Sequence, residues 1–93
     1  MHTPGDPAGM RAKAQDLRAR ANDVRARIEW VRQHRGTMHF QGGAADRFRQ
    51  QMAQWERDTD SVAYGLEQTA AYLMREAANL EQIQRAEARK VAH

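Results

Sequence analysis

The chain has 93 residues, 15 Lys and Arg against 12 Asp and Glu, and a formal charge of +3; a chain of this size makes one domain and buries only about 60–65% of the surface its unfolded form exposes. It has no cysteine, which excludes disulfides and any thiolate metal site. No apolar run approaches the ~18 residues of a membrane span, and the opening stretch "MHTPGDPAGMRAK" lacks the charged-then-apolar order of a cleavable signal peptide, so export would need another route.

Proline occurs only at Pro4 and Pro7, and the rest is rich in Ala, Arg, Glu, Gln and Leu, residues that lose least on entering a helix. The expected fold is all-α. Asp6 is placed to cap a helix that begins at Pro7, whose missing N–H costs nothing in a first turn. Met10, Ala14, Leu17, Ala21, Val24, Ile28 and Val31 are separated alternately by four and three residues, a heptad seam without a skip. Helix 1 is therefore predicted over about 7–35, with Gly36 as its stop.

The stretch "TMHFQGGAADRF", 37–48, is the one sharp break. Gly42 and Gly43 tolerate the backbone angles of a reversal, Phe40 is placed to fold over the end of the paired helices, and Asp46 falls in the first turn of the second helix, where a negative charge suits the helix dipole. With the turn at 36–43, helix 2 is predicted over about 44–90. Its seam is Ala45, Phe48, Met52, Trp55, Thr59, Val62, Leu66, Thr69, Leu73, Leu80 and Ile83. "DTDS" at 58–61 and Gly65 are where a kink would fall, although an unbroken helix is the preferred reading.

Two helices joined by a short turn make an antiparallel hairpin that leaves one side of each helix uncovered, so the hairpin is expected to assemble as a four-helix-bundle dimer. Further apolar surface is the expected sign of this. Helix 2 carries Ala63, Ala70 and Ala77 beside Leu66, Leu73 and Leu80, with Tyr64 and Tyr72, while helix 1 carries Ala12, Ala19 and Ala26 away from its seam and Trp30 near the turn. The expected partner interface is Trp30, Ala63, Tyr64, Leu66, Ala70, Leu73 and Ala77, because small residues let backbones approach and aromatics anchor interfaces.

A hairpin of this length, broken at Phe40-Gln41-Gly42 and followed by Ala44, Ala45 and Phe48 in "GGAADRFRQQM", resembles the WXG-motif family, the early-secreted-antigenic-target-like proteins of type VII secretion systems. The resemblance covers about residues 10–85, and its specific part is the dozen residues around the turn. Phe40 stands where the family has tryptophan, which keeps an aromatic wedge and drops the indole donor. The resemblance implies a small non-enzymatic secretion substrate, co-secreted partner or adaptor that pairs with itself or with another small helical hairpin, with the secretion ATPase as a candidate further contact. It also implies that the turn motif contributes to a composite export signal. Secretion or surface display without a signal peptide is implied for a substrate, and a cytoplasmic location for an adaptor.

Family members that carry the export signal have Tyr-x-x-x-Asp/Glu just behind helix 2. Here the corresponding region holds Leu80 and Gln84, and the pattern occurs earlier, as Tyr72-Leu73-Met74-Arg75-Glu76. Tyr72 and Glu76 are therefore either a displaced export motif or an interface tyrosine with an ordinary neighbour one turn on.

Charge supports the main competing reading. Residues 11–35 hold eight basic and three acidic residues, net +5, and residues 44–92 hold seven basic and eight acidic, net −1. Arg11, Arg18, Arg25 and Arg32 line one flank of the first seam, and Lys13, Arg20 and Arg27 line the other. Such a stripe could track phosphates, making the chain a cytosolic adaptor or a weak nucleic-acid binder. Against this, Asp16, Asp23 and Glu29 interleave with it and no recognition helix is evident, so nucleic-acid binding ranks second; flanks of a helical seam are also where charges choose partners. No membrane insertion is expected. Of the histidines, only His34 and His39 lie near each other, and no acid pair completes a metal site. No catalytic residue, metal or cofactor is expected.

Overall fold

The computed structural model describes residues 6–35 and 42–92. They form two helices, α1 (Pro7–His34) and α2 (Gly43–Ala92), packed on each other. The family-like turn residues Phe40 and Gln41, together with Gly36 and His39, lie outside the described residues.

Each helix starts as the sequence suggests. Asp6 has extended backbone, and its side chain accepts the Ala8 N–H at 3.1 Å. Pro7 comes next, in the first helical position, so one orphan donor is satisfied and another is never created. Gly42 has φ +66°, a left-handed conformation that strains any residue with a Cβ. Its carbonyl accepts the N–H groups of Ala45 at 3.1 Å and Asp46 at 3.4 Å, closing the first turn of α2. Asp46 sits in that turn, where its charge meets the positive end of the helix.

α2 runs its full 50 residues through 58–61 and Gly65 without a break. The Thr59 and Thr69 hydroxyls donate to the carbonyls of Trp55 at 2.6 Å and Gly65 at 3.0 Å, so the hydroxyls in this stretch serve the helix ladder. The molecule is a rod of 78 × 19 × 16 Å. Its length is that of α2, about 75 Å at 1.5 Å per residue.

Ion pairs give the register. Arg11 pairs with Glu81, Arg25 with Glu67 and Asp60, and Arg32 and Arg35 with Glu56; rising numbers on α1 meet falling numbers on α2, so the helices are antiparallel. Arg35 ends α1 against Glu56, and residues 43–55, about 20 Å of α2, reach beyond that end.

Along α1 the seam is as expected: Ala14, Leu17, Ala21 and Ile28 are buried and Met10, Val24 and Val31 half-buried. Along α2 it is rotated. Ala63, Ala70 and Ala77 are fully buried within the single chain, Ala70 against Ala14 and Leu17. Leu66, Leu73 and Leu80 are only half-buried, while Trp55, Val62, Thr69 and Ile83 are exposed. The alanine stripe, expected to be left for a partner, is therefore the floor of the hairpin itself. Two physical causes act together. Small side chains let the axes approach, and the acids Glu56, Asp60, Glu67 and Glu81 all lie on the alanine side of the apolar band, where the arginines of α1 hold them.

Candidate partner interface

The seven residues expected to meet a partner do not share one surface. Ala63, Ala70 and Ala77 are inside the hairpin, which removes them from that set. Leu66 and Leu73 straddle its edge, with one flank toward α1 and the other open. Tyr64 is exposed, but it is one residue on from Ala63 and so projects on the side of α2 away from Val62. Trp30 is 57% exposed and stands two residues, about 200° around α1, from the buried Ile28.

Trp30 has company of its own. The His34 ring stacks on it with centroids 4.0 Å apart and planes 18° from parallel, and His34 Nδ1 donates to the Trp30 carbonyl oxygen at 2.7 Å. This engages the ring that the sequence offered as half of a His34–His39 pair; His39 lies outside the described residues. Among the described residues, no group of three or more His, Asp or Glu is arranged to hold a metal. The helix 1 alanines Ala12, Ala19 and Ala26 face solvent.

What remains open on α2 is a stripe the sequence placed in the seam: Trp55, Val62, Thr69 and Ile83, at seven- and fourteen-residue steps, bordered by the half-buried Met52, Thr59, Leu66, Leu73 and Leu80. Val62 and Ile83 are 56% and 53% exposed. α1 is too narrow a cover. It meets α2 through alanines, Leu17, Ile28 and ion pairs, with Leu66, Leu73 and Met74 packed at the edge, and among the described residues no large side chain is fully buried between them. Rotation of the seam could not be read from spacing, because a four–three pattern fits an apolar band two positions wide equally well at either edge. The signal that distinguishes them is charge: the acids at 56, 60, 67 and 81 mark the edge facing the arginine-rich helix.

The basic stripe changes meaning in the same way. Three of the four arginines at 11, 18, 25 and 32 are spent on the acids of α2, and the antiparallel register sets the fourth, Arg18, near Met74. Arg25 is held by Glu67 through Nη2 at 2.6 Å and Nε at 3.4 Å, and by Asp60 at 2.6 Å. Its pKa is raised first by the hydrogen bond to Glu67, and the Glu67 carboxyl is held below its ordinary range by the same bond. On the other flank, Lys13 and Arg20 pair with Asp16 within α1. Little of the +5 is left to follow a phosphate backbone.

Tyr72 is 54% exposed and Glu76 half-buried, one turn apart in the interior of α2, which continues as helix to Ala92. No helix among the described residues is long and apolar enough to cross a membrane.

Neither a curated protein nor a solved structure matches the chain. A family model does: WXG100, described as proteins of 100 residues with WXG, matches residues 5–85, which takes in α1, the segment between the helices and α2 as far as residue 85. The hairpin, its aromatic-x-Gly corner and this match lead to one conclusion: the chain belongs to the WXG100 family, small helical proteins of type VII secretion.

Proposed function

We propose that this chain is a non-enzymatic type VII secretion component, acting as substrate, co-secreted partner or adaptor through helix–helix pairing with itself or another small helical hairpin. The observation that carries this reading is the width of the apolar band on α2, one edge of which α1 covers while Trp55, Val62 and Ile83 stay exposed. A stripe of this kind on a rod is covered by another rod, and a four-helix bundle is the arrangement that does so. The test is mass in solution, alone and co-expressed with any small hairpin protein that a neighbouring reading frame encodes. A single-chain mass in both cases, with a cooperative melt, would reject it.

Export is the second part of the proposal. With Leu80 and Gln84 where the tail signal belongs, Tyr72 and Glu76 are assigned as the displaced recognition pair, read by the secretion ATPase, with the Phe40-Gln41-Gly42 corner contributing. Tyr72→Ala should lower export while leaving the melting temperature unchanged, since the ring is exposed. Unchanged export would mean that the chain travels on a partner's signal or stays in the cytoplasm as an adaptor. Phe40→Ala separates a recognition surface from a plug: loss of export at full stability marks recognition, and loss of about 3 kcal/mol marks burial.

The competing role, nucleic-acid binding by helix 1, is disfavoured by the ion pairs that occupy Arg11, Arg25, Arg32 and Arg35. Binding to duplex DNA should be weak and lost by physiological salt.

A further inference from the structure

The edge of α2 that carries Glu56, Asp60, Glu67 and Glu81 changes sign where α1 stops covering it. Arg85 and Arg89 continue that row at four-residue steps, past the last arginine that α1 supplies. Arg11 meets Glu81, so the antiparallel register sets Pro7 level with about residue 85. From there α2 runs on to Ala92 for about 10 Å with no described helix beside it. A cleft of about 590 Å³ lies on this stretch, lined among the described residues by Gln82, Arg85, Ala88 and Arg89.

The charges in the cleft have little to answer them within the hairpin. Arg85 reaches Glu81 only at 3.8 Å, and the same carboxylate already takes Arg11. Among the described residues nothing pairs with Arg89. Glu87 stands two residues, about 200° around the helix, from Arg85 and so faces away from the cleft. Residues 82–92 hold three basic groups and one acidic, net +2. Basic residues in a last turn complement the helix dipole, which accounts for Arg89 and Lys90. Arg85 lies two turns from the end, beyond the reach of that effect, and like charges one turn apart on a helix cost stability.

Guanidinium groups are planar forks of N–H donors that match phosphate and carboxylate oxygens. Two forks and the Gln82 carboxamide offer more donors than the two oxygens of a carboxylate use, whereas a phosphate ester presents three oxygens and up to two charges. We infer that this cleft binds a phosphate ester, held by Arg85 and Arg89 with Gln82 donating a further hydrogen bond. The site is separate from the face proposed for pairing. Arg85 is two residues, about 200° around α2, from the exposed Ile83, so the two readings stand or fall independently.

Inorganic pyrophosphate stands in for a soluble ester, and vesicles of phosphatidylcholine mixed with phosphatidic acid present the same group on a lipid. Titration with the whole chain should show binding to at least one of these probes, and R85Q/R89Q should weaken it at least about tenfold. R18Q/R27Q removes the same charge from two arginines of α1 that also lack an ion pair among the described residues, and should bind as the unaltered chain does. Circular dichroism confirms the hairpin in each variant. If the double variant unfolds, Arg89→Gln alone, beyond the end of α1, should still weaken binding. Binding to pyrophosphate alone marks a soluble ester as the ligand; binding to the mixed vesicles, absent on phosphatidylcholine alone, marks a lipid headgroup.

Absence of binding to both probes would overturn the inference. Equal weakening by R85Q/R89Q and R18Q/R27Q would do so too, because it would show attraction by net charge in place of a site. A poly-glutamate peptide that binds more tightly than either probe, and loses its binding in R85Q/R89Q, would assign the cleft to an acidic chain and reject the phosphate. None of these outcomes bears on the mass in solution, which tests the pairing.

Discussion

The two edges of the apolar band on α2 differ in the size of their side chains and in where those side chains end up. The inner edge is Ala63, Ala70 and Ala77, all fully buried; the outer edge is Trp55, Val62 and Ile83, all exposed. Read by hydrophobicity alone, the order would be the reverse. The contrast shows that a two-helix contact is governed by how closely the axes approach and by which edge carries charges that the neighbour can pair. Alanine buries little area per residue, so the hairpin gains modest burial from its own contact and keeps its larger side chains available.

The most damaging way to probe this contrast is Ala70→Arg. On the inner edge it forces a charge with no partner into the contact with Ala14 and Leu17, costing more than about 3 kcal/mol, enough to abolish the cooperative melt of so small a hairpin. A variant that stays folded and loses only its assembly would return Ala70 to the outer face. Leu17→Ala, on the α1 side of the same contact, should cost about 2–3 kcal/mol, at the lower end of the usual range because Leu17 keeps some exposure and its alanine neighbours leave room to collapse; the melt measures it.

On the outer edge, Val62→Arg should leave the hairpin's own melt, measured on dilute monomer, within about 0.5 kcal/mol, as for a surface site. Its effect should appear in light scattering, as a fall to the mass of one chain. A large loss of monomer stability would place Val62 inside the hairpin.

The glycines sharpen the comparison of turn with helix. A Cβ at either Gly42 or Gly65 would meet nothing within 4 Å, so sterics against neighbours play no part at either site. Gly42→Ala should nonetheless cost about 1–2 kcal/mol, because φ is +66° there. Gly65→Ala, in the middle of α2, should add up to about 1 kcal/mol by removing chain entropy from the unfolded state. Denaturant midpoints of the two variants should move in opposite directions.

The smallest expected effect is in pH dependence. The carboxyl of Glu67 is held below its usual value of 4.5 by the hydrogen bond from Arg25, so its contribution to stability is complete above about pH 4.5 and is lost as pH falls through the lowered value. Glu67→Gln should flatten that part of the melting-temperature profile and leave the slope near neutrality as it was. Because the pair is solvent-exposed, salt should weaken the same contribution.

Much of the fold was legible because its determinants are local. Asp6 before Pro7 and the glycine pair before Asp46 are chemical punctuation whose meaning does not depend on distant residues, and the predicted helices at about 7–35 and 44–90 agree with Pro7–His34 and Gly43–Ala92. The four–three spacing on α1 likewise named a face with only one edge, since charged residues flank it on both sides. The partner surface was less legible. Trp30 sits on the far side of α1 from the core and the alanines lie within the hairpin, and neither placement can be read from the spacing of one helix taken alone.

From the sequence by itself come two long helices, the place where the chain reverses, an antiparallel hairpin and the resemblance carried by Phe40-Gln41-Gly42, because capping, propensity and glycine's freedom act within a few residues of where they are encoded. How α2 rotates about its own axis was decided only in the tertiary structure. An apolar band wide enough for two neighbours can turn either edge toward α1, and the arginines at 11, 25, 32 and 35 choose between them by reaching Glu81, Glu67, Asp60 and Glu56 across the helix contact, a choice that exists only once both helices are side by side.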